Sequence, residues 1–334
     1  MLDFGPGDTS RFTLASLSVE ARPVKMGGAP KLENATAVRF GSSFTQSLID
    51  AVFVTSEDGT LDFTSAFPVA FDLGAVTDSV TLREIQVWGV SKTGVVVGRG
   101  SQVVIKGGRI IGNGHQSDAH PRGTSVGVHC TGGNGGVHVA QTDVISHLEG
   151  MRVDASSGAA SNREIFIAHA TFDSCWRGLS VYDSSYVDVS GLWAASCEDA
   201  NVFVAPQAGG ALFSIAGGTI FNACSEQGGA QVNMTADRRC IGMDVHAGSF
   251  TLSGVSVRNN QGVGLAVASA VSSYAVTGVK FYSNGAAVEL EGSDFVLTGN
   301  VFKRDNSRSR NKIRCTSDGS SACVIANNVG LEYA

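Results

Sequence analysis

One phrase returns along most of this chain: an alternating strand, a Gly or other small residue, an apolar residue, and a second alternating strand. It reads VVIKGGRIIGN from Val103, VHVAQTDVISH from Val137, IFIAHATFDSC from Ile165 and VDVSGLWAASC from Val187. It continues as FTLSGVSVRNN from Phe250, YAVTGVKFYSN from Tyr274 and FVLTGNVFKRD from Phe295, with VTLREIQVWGV from Val80 and a truncated CVIANNVG from Cys323 as outer copies. A further copy, FSIAGGTIFNAC from Phe213, reads as carrying one extra residue. Regular repeats of this length identify a solenoid, in which each unit buries its apolar face only against its neighbours. With strands as the repeated element, the fold class is all-β: a single-stranded right-handed parallel β-helix of about ten coils.

Successive coils of such a helix rise by about 4.8 Å, so residues of equal phase stack. Ten positions beyond each start lie Val90, Asn113, His147, Cys175, Cys197, Cys224 after the one-residue slip, Asn260, Asn284 and Asp305, a column expected at an inward bend. A later strand repeats as GVHC at Gly127, MRVD at Met151, LSVY at Leu179, VFVA at Val202, MDVH at Met243, LAVA at Leu265 and VELE at Val288. Its alternation predicts inward apolar positions and outward variable ones. Long polar insertions, Asn113 to Ser125 and Ser225 to Cys240, interrupt the spacing and are expected on the surface. Residues 51–334 are assigned to the β-helix, with one irregular coil before Val80. Residues 1–50 lack the phase and read as an irregular cap or attachment segment, with TQSLIDAVF from Thr45 as a candidate short helix.

The formal charge is −6, and the only basic run gathers Arg304, Arg308, Arg310, Lys312 and Arg314. Nucleic acid is therefore not expected as a partner. MLDFGPGDTS has neither a basic nor an apolar leader region, and no window reaches the length of a membrane span, so no export signal or membrane insertion is expected. The seven cysteines include three at core phases and no CxxC pair, which favours mostly reduced thiols over a disulfide framework and disfavours zinc. Cys315 and Cys323 read either as a bridge or as two thiols. His115, Asp118 and His120 offer metal-type side chains in a polar loop, but no metal or cofactor is expected.

Candidate chemistry comes from the outward positions of the late strand. Asp244 and Glu289 fall there with Ala266 between them, roughly 9 to 10 Å apart by backbone. That approaches the separation of about 6.5–9.5 Å used by inverting glycosidases. His246 beside Asp244 is a candidate acid or base, while Asp154, Tyr182 and Asp183 form a second polar group. Trp176, Tyr182, Tyr186, Trp193 and Phe203 fall on consecutive coils and offer stacking platforms for sugar rings. The alternative reading makes the acids solvating residues and buries Trp193 and Phe203 at corners or between subunits.

The repeated V-x-(V/L)-x-G-x-x-F-x-x-N…G-(V/L)-x-V phrase, over about Val80 to Gly330, resembles the pectin-lyase-like β-helix superfamily, bacteriophage tailspikes and virion fibres in particular. Polygalacturonase-like members carry Asn-Thr-Asp, paired-Asp, Gly-His-Gly and Arg-Ile-Lys segments. Here GRIIGNG (Gly108 to Gly114) and NKIR (Asn311 to Arg314) only echo them, so no catalytic residue is carried over. The resemblance implies a homotrimeric head or tail fibre, assembled in the host bacterial cytoplasm and docked on other virion proteins through its N-terminal segment. Such a fibre binds host cell-surface polysaccharide without catalysis. The alternative it implies is a polysaccharide depolymerase, hydrolase or lyase, using Asp244, Glu289 and His246.

Overall fold

The computed structural model describes residues 2–4, 9–10, 13–21, 36–40, 44–45, 47–56, 67–74, 79–98, 102–112, 125–133, 135–154, 162, 164–184, 186–224, 239–303, 311–316 and 322–331. They divide into two compact units, Met1–Phe166 and Ile167–Ala334. Both are built of right-handed parallel β-helix coils, and the strand pairs of the described residues are parallel. Each coil contributes a first and second strand, bent or continuous with one another, and a third strand in a separate sheet. Among the described residues there is no helix, and none long and apolar enough to cross a membrane.

In the first unit, Val80 pairs with Val103 and Val103 with Val137, residue for residue as the phase predicts. The third strands Thr36–Phe40, Val69–Leu73, Thr93–Val97, Val126–Cys130 and Glu149–Val153 stack in that order. Coil strands already occur before residue 51: Ser47–Asp50 pairs with Val80 to Arg83, so TQSLIDAVF holds strand rather than helix. Its alternation of buried Ser47 and Ile49 with more open Leu48 and Asp50 is period two, and neighbouring strands supply its hydrogen bonds.

In the second unit, Val187, Phe213, Phe250, Tyr274, Phe295 and Cys323 form one in-register column. The rings of Phe250, Tyr274 and Phe295 stack at 5.1 and 4.9 Å inside the coil. The expected slip at Phe213 is absent. Register runs unbroken from Phe213 opposite Phe250 to Phe221 opposite Arg258, so the residue below Asn260 is Ala223 and not Cys224.

Two corners per coil use left-handed backbone. The first carries Gly191, Gly217, Gly254, Gly278 and Gly299 at φ of 62–68°. At Gly191 a Cβ would stand 2.7 Å from the exposed His169 ring, which would have to swing aside, and the left-handed φ favours glycine there. The second carries Ser174, Ser196, Asn222, Asn259 and Ser283 at φ of 54–58°, after which Cys175, Cys197, Ala223, Asn260 and Asn284 turn inward. The bend leaves backbone groups without strand partners, and the amides take them up. Asn260 Oδ1 accepts from Ala223 N at 3.0 Å and from Asn201 Nδ2 at 3.1 Å, while Asn260 Nδ2 donates to Asn284 Oδ1 at 2.9 Å. Asn201, reaching past the side-chain gap at Ala223, is a ladder member that the phase did not reveal. A second ladder, Asn300 Nδ2 to Asn328 Oδ1 at 3.0 Å, supports the opposite corner. Asn113 and Asp305, also expected in the column, lie outside the described residues.

His147 holds the same inward position in the first unit. Its Nε2–H donates to Ile110 O at 3.3 Å and its Nδ1 accepts from Ser125 Oγ at 3.1 Å, which satisfies the neutral ring on both sides. Burial pushes its pKa down to about 4 from 6.5, against a smaller upward effect of the Ile110 hydrogen bond. In the unfolded chain the imidazole takes its proton first, so this stabilisation is whole above pH 6.5 and drains away as pH falls towards about 4. The loss amounts to about 3 kcal/mol. Denaturant titrations across that window should show His147→Gln less acid-sensitive than the wild type by that amount. Equal acid sensitivity of the two proteins contradicts the assignment.

Candidate functional site

The outward column of the third strand in the second unit runs Ser180, Phe203, Asp244, Ala266, Glu289 and Lys312. Asp244 and Glu289 are thus two coils apart with Ala266 between, as the spacing predicts. Asp244 is nevertheless buried, because a side-chain layer covers the lower part of this face. Arg177 lays its guanidinium 3.7 Å from the Phe203 ring centroid, while its Nε donates to Asp199 Oδ2 at 2.6 Å and its Nη1 to Tyr182 Oη at 2.9 Å. Arg239 donates to both Asp199 oxygens, at 2.7 and 3.0 Å, and to Asp244 Oδ2 at 2.5 Å. His246 Nε2 meets the same Asp244 oxygen at 2.9 Å.

The network is electrostatically closed. Burial works to raise the Asp199 pKa, but hydrogen bonds and charge from Arg239 and Arg177 outweigh it and hold the carboxyl below its ordinary range. Glu289, higher in the column, is ion-paired with Lys312 at 2.8 Å. Both carboxylates of the candidate pair are therefore committed to cations. Arg177, Asp199 and Arg239 were not singled out from sequence. Arg239 ends the insertion after Ser225, and nothing in the coil phase brings it to this face.

The first unit has a smaller counterpart. Asp154 accepts from Arg152 Nε at 2.6 Å and meets His129 Nε2 at 2.8 Å, and Arg152 pairs with buried Glu149 at 3.0 Å. Burial acts to raise the Asp154 pKa, and His129 and Arg152 more than cancel it. Tyr182 joins the Arg177 and Phe203 group, at 5.9 Å from the Phe203 ring.

The five aromatic candidates do not make one platform. Tyr182 and Phe203 lie on the third-strand face, with Phe203 buried. Trp193 projects from the second-strand face at 42% exposure, and Tyr186 from the first-strand face at 37%. Trp176 sits in the turn that precedes Arg177–Val181. Around Tyr186 the second unit forms a shallow groove of about 380 Å³, lined by Leu212, Ser214, Ser249, Thr251, Ser273 and Asp294 among others. The groove follows from the register, because Tyr186, Leu212, Ser249 and Ser273 occupy one column and Ser214, Thr251, Ala275 and Val296 the next. Leu212 and Val296 add exposed apolar surface beside the hydroxyls.

Four of the seven cysteines are bridged, Cys224 to Cys240 and Cys315 to Cys323, which corrects the expectation of mostly reduced thiols. Cys224 steps out of the column that Ala223 fills, and that is why it reaches Cys240. Closing loops of this size stabilises by about 3 kcal/mol each in the chain-entropy account. Cys130, Cys175 and Cys197 are free and buried. Burial, with a smaller contribution from Asp154, pushes the Cys130 thiol up to about 12. Burial and the neighbouring Cys175 raise Cys197 well above the ordinary thiol range. Such thiols are poor nucleophiles. An alkylating reagent should label no cysteine in the native chain, three after denaturation, and all seven after denaturation with reductant, counted by mass. Native labelling, or more than three thiols without reductant, contradicts this pairing.

Among the described residues no group of three His, Cys, Asp or Glu could hold a metal ion. His115, Asp118 and His120 lie outside the described residues, as do Arg304, Arg308 and Arg310. No protein-family model, curated protein or solved structure matches this chain.

Proposed function

We propose that this chain is a virion fibre or spike of a phage or phage-like particle, related to the pectin-lyase-like β-helices, which binds host cell-surface polysaccharide without cleaving it. The observation that carries the reading is the groove beside Tyr186. An exposed ring, apolar surface at Leu212 and Val296, and hydroxyls from Ser214, Ser249, Thr251 and Ser273 lie along successive coils. Sugars present apolar C–H faces and many hydroxyls, and such a surface meets both. The repeated rise suits a polymer better than a single compact ligand. The two disulfides fit a protein that works outside the cell, where such bonds persist. In this reading the particle is assembled in the host cytoplasm as a homotrimer, with residues 1–50 docking to other virion proteins.

A second reading, a polysaccharide hydrolase or lyase, draws on Asp244 and Glu289 sharing one column. The ion pairs of both carboxylates favour binding over catalysis.

Purified chain incubated with capsular or lipopolysaccharide extracts should retain polysaccharide and release neither reducing ends nor unsaturated products. Tyr186→Ala should weaken retention about five- to tenfold, the size of one aromatic stacking contact. Light scattering should give three chain masses. Oligosaccharide release that vanishes in Asp244→Asn would install the depolymerase instead, and absence of any glycan binding would remove both readings.

A further inference from the structure

We propose that the second-strand face of residues 167–334 is a separate binding surface for acidic polysaccharide, carboxylated or sulfated. Register sets two adjacent outward columns on this face. One runs Trp193, Thr219, Ser256, Lys280 and Val301; the other runs Ala195, Phe221, Arg258, Tyr282 and Lys303. Arg258, Lys280 and Lys303 therefore fall within two rises of one another, about 10 Å along the stack. Asp173, the register partner of Ala195, ends the second column on one side, and beyond it none of these positions is acidic.

Arg258 is held differently from the ion-paired arginines. Arg39, Arg83, Arg109, Arg152, Arg177 and Arg239 each pair with a carboxylate. Arg258 instead lies 5.1 Å over the Phe221 ring, and its Nε is buried with no hydrogen-bond partner. The ring orients the guanidinium without neutralising it. No carboxylate among the described residues offsets its charge, so the face is preorganised for an anion from outside.

Beside the cations stands an aromatic group. Trp193 packs edge-on against Phe221 at 4.6 Å and keeps 42% of its surface open. Ser256 and Tyr282 share a hydrogen bond at 2.9 Å and add hydroxyls between the rings and the lysine. A sugar ring can lie on the open indole while its carboxylate or sulfate meets Arg258 and Lys280. Single-stranded nucleic acid also combines rings with charge. It needs a series of open stacking faces and a basic field, whereas here the two rings stand at 81° and the chain is acidic. The surface is distinct from the Tyr186 groove, and it adds an acidic ligand class to the glycan reading.

The test is titration calorimetry on the intact chain with polygalacturonate, dextran sulfate, neutral dextran and a single-stranded oligonucleotide. At least one acidic glycan should bind, more weakly as salt rises. Arg258→Gln, Lys280→Gln and Trp193→Ala should each lower that affinity about fivefold or more, and Tyr186→Ala should leave it unchanged. Lys280 is exposed, so its variant tests the site with little risk to the fold. Acidic-glycan affinity that these variants leave intact overturns the site. So does tighter binding of the oligonucleotide. Retention of host polysaccharide through Tyr186 with no affinity for either acidic polymer removes this inference alone, while loss of all glycan binding removes the proposed function with it.

Discussion

The rest of this structure depends on in-register parallel stacking. Each strand hydrogen-bonds to the same phase of the next coil, so whatever side chain the sequence sets at one phase meets its own kind a coil away. At straight positions the result is an apolar core with ring stacks such as Phe250, Tyr274 and Phe295. At the bends, backbone groups lose their strand partners and need replacements. Asn201, Asn260 and Asn284 provide them, and each amide satisfies both a neighbour's backbone and the next amide. A buried polar network of this kind stabilises only when complete.

The same constraint sorts the outer surface of the second unit into faces of different chemistry. The lower part of the third-strand face puts its charges under cover, where two arginines clasp Asp199 and one reaches Asp244. Its role reads as structural, since breaking one partner of a buried pair strands the other. The first-strand face is almost free of ionic groups and offers hydroxyls beside Tyr186 and Leu212. The second-strand face carries cations and rings. A ligand laid along either open face meets a surface that repeats at the coil rise.

Much of the architecture was legible because strand phase is written directly in residue spacing. The columns from Val80 to Val137 and from Val187 to Cys323 emerged with their partners correct. The error at Phe213 came from preferring Cys224 over Ala223 as the column residue, since a small apolar side chain leaves no polar mark. That error also hid the Cys224–Cys240 bridge. TQSLIDAVF misled because polar Ser47 turns inward and apolar Leu48 outward, which hides the period that pairing with Val80 to Arg83 imposes. The candidate site was legible only where it followed phase. Asp244 and Glu289 fell into their column, but Arg239 arrives from an insertion and Arg177 reaches across from a strand end. The aromatics of consecutive coils proved to project from different faces, because sequence order along a coil is also direction around it.

The central claim is that equal phase means stacked neighbours, and two surface substitutions test it directly. Thr251 and Ala275 face outward and are register partners on adjacent first strands, whereas Val276, one position on, points into the core. In the doubly substituted Thr251→Cys, Ala275→Cys chain, a short thiol-to-thiol cross-linker should join the two cysteines within one molecule under native conditions, read by mass after digestion. The Thr251→Cys, Val276→Cys chain should remain unlinked. Failure of the first pair to link, or equal linking of both, contradicts the account.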